Sequence, residues 1–514
     1  MNPTLGRIVA ATCVTVALAS CQRPVATTEP MHAPAPPAQA ARVDRPVPPL
    51  VQDLERRTFD YFWERANPKN GLVPDRWPTP SFSSIAAVGF GLTAYGVGVE
   101  RGWITRDQAI ERTLATLRFF ANAKQGPDAA GTAGYNGFFY HFLDMETGTR
   151  YATNELSTVD TTLLMGGVLF AQTYYDRDDA REAEIRTLAD KLYRDVNWPW
   201  AQKRAPRISM GWKPEDGFIA YDWDGYNEAI LVYLLALGSP THPVGRDAYD
   251  AWTSTYDRSW GSFNGGPEHL TFPPLFGHQY SHVWVDFRGI TDDYMKKRGI
   301  DYFENSRRAT LSQRAYAIAN PQGWNGYDKD VWGLTASDGP TDATLDFKGK
   351  PRRFQTYTAR GVGTQYTVDD GTLVPTAAAS SIAFTPEESI AAIQAMHDRY
   401  GKAIYRQYGF LDAFNPSFTY TDVKLHHGKL VPGTGWVDGD YLGIDQGPIV
   451  LMIENYRTGK VWNRIMQEPQ IQTGLTRAGF TIQPSTGPGT WLSAILRITA
   501  PRFRLALTKG VMSE

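Results

Sequence analysis

Cysteine is almost absent from this chain. Only Cys13 and Cys21 occur in 514 residues, both within the first twenty-one positions. The rest of the chain has no disulfide and no thiolate metal site, so its stability must come from an apolar core. An excess of one charge is missing too. Lys and Arg number 52 against 54 Asp and Glu, a net charge of -2, which leaves no electrostatic footprint for nucleic acid. The short basic runs at 296–298 and 348–353 read as solvated surface. There is no Gly-x-Ser-x-Gly elbow, no Gly-x-x-x-x-Gly-Lys-Ser/Thr loop and no Gly-x-Gly-x-x-Gly fingerprint, so no common nucleophile or phosphate-binding signature is available. His278 and His282 stand four apart, but no Glu follows the first His and Pro273-Pro274 lies just upstream, which argues against a zinc pair. No metal and no cofactor is expected.

Long apolar runs are also scarce. Ile8 to Leu18 follows Arg7 and is too short to cross a bilayer. It leads into Leu18-Ala19-Ser20-Cys21, which has the form of a lipobox. Residues 1–21 are therefore read as a lipoprotein signal ending at Cys21, the lipidation site, with plain secretory cleavage as the alternative. Residues 22–49, rich in Pro and Ala, read as a disordered tether. Residues 50–469 read as one catalytic domain and 470–514 as an extension packed on it. Gln22 in place of Asp argues against retention at the inner membrane. The expected location is the periplasmic side of a bacterial outer membrane, or the cell surface, with the chain acting as a monomer.

Helical periodicity and aromatic residues, by contrast, are abundant. Apolar residues recur at helical spacing around Leu54 to Trp63, Ile110 to Phe120, Ser157 to Tyr175, Arg181 to Val196, Asn227 to Leu237, Gly245 to Tyr256, Thr291 to Ala319, Pro386 to Tyr400 and Pro448 to Tyr456. Thr105 with Gln108 has the spacing of a capping box. Strand signals are few, with Arg207 to Met210 and Tyr420 to Leu425 as candidate hairpins. Aromatic residues make up 13% of the chain, including 15 Trp. Many fall in loops that mix Gly, rings and acids, as in Gly217 to Glu228 (GFIAYDWDGYNE) and Gly435 to Gln446 (GWVDGDYLGIDQ). Such loops suit sugar: rings stack on pyranose faces, and carboxylates accept from hydroxyls or move protons at a glycosidic bond.

Three carboxylates sit where a loop enters a helix. Asp160, in Ser157-Thr158-Val159-Asp160, suits a base, a sugar ligand or a simple first-turn cap. Glu228 lies near Asp222, Trp223, Asp224 and Tyr226. Crowded acids and burial among rings raise a carboxyl's pKa, making Glu228 the candidate proton donor. A calcium loop is the rival reading of Asp222-x-Asp224-Gly225, but the remaining ligand positions are missing. Asp445 precedes the apolar run Ile449 to Ile453 and competes with a capping role. Asp438 and Asp440 are hydroxyl-binding or solvated candidates. His282 suits stacking or a hydroxyl contact, though a structural histidine is the plainer reading. Trp436 belongs to the second of the two aromatic loops.

The segments Trp332 to Pro340 (WGLTASDGP), Pro375 to Ala378 (PTAA), Tyr408 to Asn415 (YGFLDAFN) and Gly443 to Arg457 (GIDQGPIVLMIENYR) together resemble the bacterial glycoamylase-like domain family, which includes endo-β-1,2-glucanases. That resemblance runs from about Leu54 to Trp462. It implies an all-α (α/α)6 toroid with short β-hairpins in its loops, and inverting hydrolysis of β-glucan. It puts Glu228, Asp160 and Asp445 at catalytic positions, and Tyr302, Asn305, Arg307, Trp332, Asp338 and Asp412 in motifs lining sugar subsites. An oligo- or polysaccharide is then the expected partner. A non-catalytic glycan-binding lipoprotein and a toroidal polysaccharide lyase are the rivals, although a lyase would want a basic cleft.

Overall fold

The computed structural model describes residues 44–263 and 265–482. The lipobox cysteine Cys21, the signal, most of the tether and the extension beyond residue 482 lie outside the described residues. No described helix is long and apolar enough to cross a membrane. The described residues are helix-rich, 44% of them helical.

The framework is a set of long helices around three that are buried almost throughout: Ile85–Glu100, Thr158–Tyr174 and Gly443–Arg457. The first two cross so closely that a Cβ on Gly167 would lie 2.1 Å from the Gly89 carbonyl oxygen, and one on Gly89 would lie 2.2 Å from that of Leu163. Glycine at both positions is what lets the backbones touch. Amphipathic helices pack outside them, including Pro49–Arg65, Arg106–Asn122, Ala180–Asp195 and Pro386–Ile404. The capping box at Thr105 forms as its spacing predicts: Thr105 Oγ1 accepts from the Gln108 amide, and Gln108 returns the contact to the Thr105 amide.

Several boundaries differ from the sequence reading. Thr291 to Ala319 is two helices, Asp293–Arg298 and Tyr302–Ala319, because Gly299 turns the chain with φ 72°. The helix expected to start at Pro448 starts at Gly443 instead, with Pro448 inside it, so Asp445 sits in its first turn. Ordered chain begins before residue 50. The Arg45 amide donates to the Arg457 carbonyl and Val47 is buried, so the final residues of the expected tether are pinned to the domain. Helix Pro469–Arg477 packs on Ile230–Gly238, and Thr481–Ile482 pairs with Ile290–Thr291. Neither predicted hairpin forms where expected. Ser209 makes a single bridge to Asp222, while the well-formed hairpin is Ala343–Phe347 with Lys350–Phe354.

Short antiparallel pairs tie the loops to one another. Leu156–Ser157 pairs with Gly211–Lys213, Ser83–Ser84 with Phe142–Leu143, and Arg76–Trp77 with Tyr441–Leu442. Phe414–Asn415 and Lys429–Val431 flank Gly435–Val437. These ladders hold residues far apart in sequence at the entrances of the buried helices.

Candidate active site

Asp160 and Asp445 lie in the first turns of Thr158–Tyr174 and Gly443–Arg457, and Glu228 lies just ahead of Ile230–Gly238. Helix N-termini favour negative charge, so each position tolerates a carboxylate better than the surrounding core would. The backbone at two of the three is fixed by side chains. Ser281 Oγ donates to the Glu228 carbonyl at 2.7 Å and Thr376 Oγ1 to the Asp445 carbonyl at 3.0 Å.

One phenol links all three acids. Tyr280 is buried and its pKa is driven well above the ordinary tyrosine value, first by burial and then by Asp445, Tyr357, Glu228 and Asp160. Glu228 itself is pushed up to about 7, first by burial and further by the charge of Asp160. Its Oε2 is enclosed without a hydrogen-bond partner. A carboxyl in that setting keeps a proton near neutrality and has a free oxygen with which to give it away. Asp160 is served differently: Ser157 Oγ donates to its Oδ2, and His141 Nε2 lies 3.5 Å from the same oxygen. Burial pulls the His141 imidazole down, but Asp160, Glu155 and Asp75 outweigh it and carry it up to about 9, so His141 faces Asp160 as a cation.

Asp445 opens onto a second group of acids. It shares a hydrogen bond with Asp412 and another with Tyr280, and burial above all raises it to about 7. Asp412 also accepts from the Asp338 amide at 2.9 Å. Burial, followed by the charges of Asp445, Asp438 and Asp338, holds Asp412 well above the usual carboxylate range. Asp438 is pushed up to about 8, mainly by burial and by Asp338. Arg76 answers this group, with Nη1 2.7 Å from Asp338 and 3.8 Å from Asp440, and Nε 3.5 Å from Asp75.

The acids are not sealed away from solvent. Tyr357, whose hydroxyl is influenced by Asp445 and Asp412, is 60% exposed. Tyr366, influenced by Glu228, is 47% exposed. Tyr366 also lines a cavity of about 260 Å³ with Asp224, Tyr226 and Asn227, beside Glu228. Exposed rings beside buried acids are the two ingredients of a carbohydrate cleft.

The Glycoamylase family model, described as "Putative glucoamylase", matches residues 220–469. A protein of known structure from Bacteroides uniformis, described as a glucoamylase of the same kind, is 32% identical with a TM-score of 0.72, covering 85% of this chain and 99% of its own. This chain belongs to the glycoamylase-like family. The endo-β-1,2-glucanase from Chitinophaga pinensis, solved with sophorotriose and glucose, is 30% identical with a TM-score of 0.71, covering 84% of this chain and 98% of its own. The exo β-1,2-glucooligosaccharide sophorohydrolase of Parabacteroides distasonis is 29% identical over 459 residues, which is 83% of this chain. The chain spans 57% of the length of that curated relative.

Within this glycoamylase-like chain, several residues expected to line sugar subsites are spent on the fold. Tyr302 is fully buried, donates to Asp292 at 2.7 Å and stacks on Tyr226. Asn305, equally buried, exchanges hydrogen bonds with the Leu270 backbone. His282 is enclosed by Phe287 and Phe384, bonds Ser306 at 3.0 Å, and is pulled down to about 3 by burial. Trp332 and Trp436 have no exposed surface, and the Trp436 indole donates to the His427 carbonyl. Trp223 donates to Thr158 and so steadies the helix that carries Asp160. Arg307 is clamped to Glu304 at 2.7 Å, and Asp222 to Arg204 at 2.6 Å. These side chains are engaged in contacts of the fold, whereas Asp224 and Tyr226 line the cavity itself. Arg76, His141, Tyr280 and Tyr357 escaped the sequence reading. His141 and Tyr280 stood inside aromatic loops, but nothing local distinguishes a ring beside a catalytic acid from one in the core.

Proposed function

We propose that this chain is a glycoside hydrolase that cleaves β-1,2-glucan with inversion, with its helical hairpins closed into an (α/α)6 ring. The observation that carries the proposal is the convergence of Glu228, Asp160 and Asp445 on the Tyr280 phenol beside exposed rings. The activities named for the Chitinophaga and Parabacteroides relatives supply the linkage.

Glu228 is the general acid. Buried and carrying its proton near pH 7, it protonates the glycosidic oxygen as the bond to the anomeric carbon breaks. Asp160 is the base that accepts a proton from the attacking water, with the Ser157 hydroxyl donating to its Oδ2 and the His141 cation 3.5 Å from the same oxygen. Asp445 takes a different part. Bonded to Asp412, it holds a share of a proton and binds a sugar hydroxyl rather than deprotonating water. Asp224 and Tyr226 in the cavity, with Tyr357 and Tyr366 at the rim, bind the flanking sugars. The lipobox reading adds attachment through Cys21 at the periplasmic side of a bacterial outer membrane, or at the cell surface.

Incubating the protein with β-1,2-glucan and following reducing ends and the first-formed anomer by proton NMR tests this reading. New reducing ends in the α-configuration support it. Activity confined to another linkage, or β-anomer formed first, defeats the linkage or the inversion respectively.

A further inference from the structure

Asp338, Asp412 and Asp438 each offer one oxygen, and the three oxygens lie within 4.8 Å of one another. Calcium binds oxygen at roughly 2.3–2.6 Å, so two ligands on one ion are separated by at most about 5 Å. The separations observed are those of oxygens around a single ion. The three residues are 1–3% exposed. Asp438 Oδ1 accepts from the Gly439 amide, while its Oδ2 is buried with no partner among the described residues. A buried carboxylate oxygen without a donor costs free energy until something positive reaches it.

The acids around this group outnumber the guanidiniums that reach it. Asp75, Asp440 and Asp445 adjoin the same group, and Arg76 is the guanidinium that meets it, placed 2.7 Å from Asp338. The next guanidinium, Arg360, pairs with Asp370 at 2.7 Å and reaches only the backbone carbonyl of Asp338. Asp338 follows Ala336–Ser337 of one ladder, while Asp412 precedes Phe414–Asn415 and Asp438 follows Gly435–Val437, the two paired strands of a second ladder. That arrangement fixes the three carboxylates together from different parts of the chain. We propose that Asp338, Asp412 and Asp438 form a calcium-binding site beside the acids of the cleft, in which the ion ties the two ladders together.

Calcium titration of the chelator-treated full-length protein, followed by calorimetry and thermal melting, tests the site without reference to glucan. The expected result is one calcium per chain and a rise of several degrees in the melting midpoint, with magnesium giving much less. Asp438→Asn and Asp338→Asn should each weaken calcium uptake by roughly tenfold or more and remove the shift. Their far-ultraviolet circular dichroism without calcium should match the parent, which separates a lost ligand from a lost fold. A parent protein that takes up no calcium at millimolar concentration overturns the proposal. So does uptake that survives both substitutions. Neither result bears on whether Glu228 protonates a glycosidic bond.

Discussion

Two groups of buried acids in this chain differ in how their charge is met. Near the first described residues, the buried Glu55 and Glu454 and the exposed Asp44 surround Arg101 and Arg457. Arg457 Nη1 lies 2.5 Å from Glu55, Arg101 lies 2.7 Å from Glu454, and Thr458 donates to the other Glu454 oxygen. Three acids share two guanidiniums that touch them directly, and the result is a clasp joining Pro49–Arg65 to Gly443–Arg457. At the opposite end of that second helix, Asp338, Asp412, Asp438, Asp440, Asp445 and Asp75 gather around Arg76. A fold built only for stability pairs its buried charges, as the clasp does, because an unpaired one is expensive. Acids that no cation touches, as with Asp412, Asp438 and Asp445 among the described residues, mark chemistry instead when they lie next to exposed rings.

The deepest cut into this contrast is Glu228→Gln. The substitution keeps the shape and removes the proton, so turnover on β-1,2-glucan should fall by about 10²–10⁴, the usual worth of a positioned general acid. Oligosaccharide binding, measured by calorimetry, should persist. Above pH 7 the melting midpoint should be equal to the parent's or higher, because a buried charge is gone.

On the clasp the expectation reverses. Arg457→Met leaves the buried Glu55 without that partner, and should cost roughly 3–5 kcal/mol of stability by denaturant unfolding. Well below the new midpoint, turnover should be unchanged. A large loss of kcat in the still-folded variant would show that the two groups of acids are not independent.

These assignments differ in how far they could be read from the chain. Asp160 announced itself, since Ser-x-x-Asp ahead of an apolar run puts the acid in a first turn, and the Thr105 capping box was legible for the same local reason. Helix Ile85–Glu100 was not, because residues 85 to 98 are all buried and a helix buried on every side shows no polar face to set a period. The acid group around Arg76 was legible only as single residues. Asp338, Asp412 and Asp438 meet through strand pairs of two or three residues each, too short to carry a sequence pattern. Tyr302 and Asn305 lie buried in the fold, and a motif records that a residue matters without saying whether it faces sugar or core, while His282 is the buried structural histidine of its plainer reading.

The pH dependence sharpens the comparison further. Glu228 has an ordinary value of 4.5 and is pushed up to about 7 in the fold. The folded state therefore holds a proton that the unfolded chain has released, and between those values stability falls as pH rises. That contribution is complete below pH 4.5 and gone above about 7, amounting to a few kcal/mol at most. The difference between parent and Glu228→Gln midpoints should track this window in urea melts from pH 4.5 to 8. Turnover by the parent should fall over its upper edge, as the acid loses the proton it must donate. A parent whose activity still climbs above pH 8 would remove Glu228 from the acid role.

Asp222 should register least, and for that reason it tests the reasoning most cleanly. By sequence it is indistinguishable from the acids of the cleft, standing six residues before Glu228 in an aromatic loop. In the fold it meets Arg204 at 2.6 Å on a partly exposed face, and both its oxygens accept from that guanidinium. A pair of this kind is worth about 0–1 kcal/mol, because water already solvates both members. Asp222→Asn should therefore shift stability by less than about 1 kcal/mol and change kcat/KM by less than about threefold. If the substitution instead removed activity, counting each acid's cations would have failed to separate structural carboxylates from catalytic ones, and the contrast between the clasp and the cleft would lose its basis.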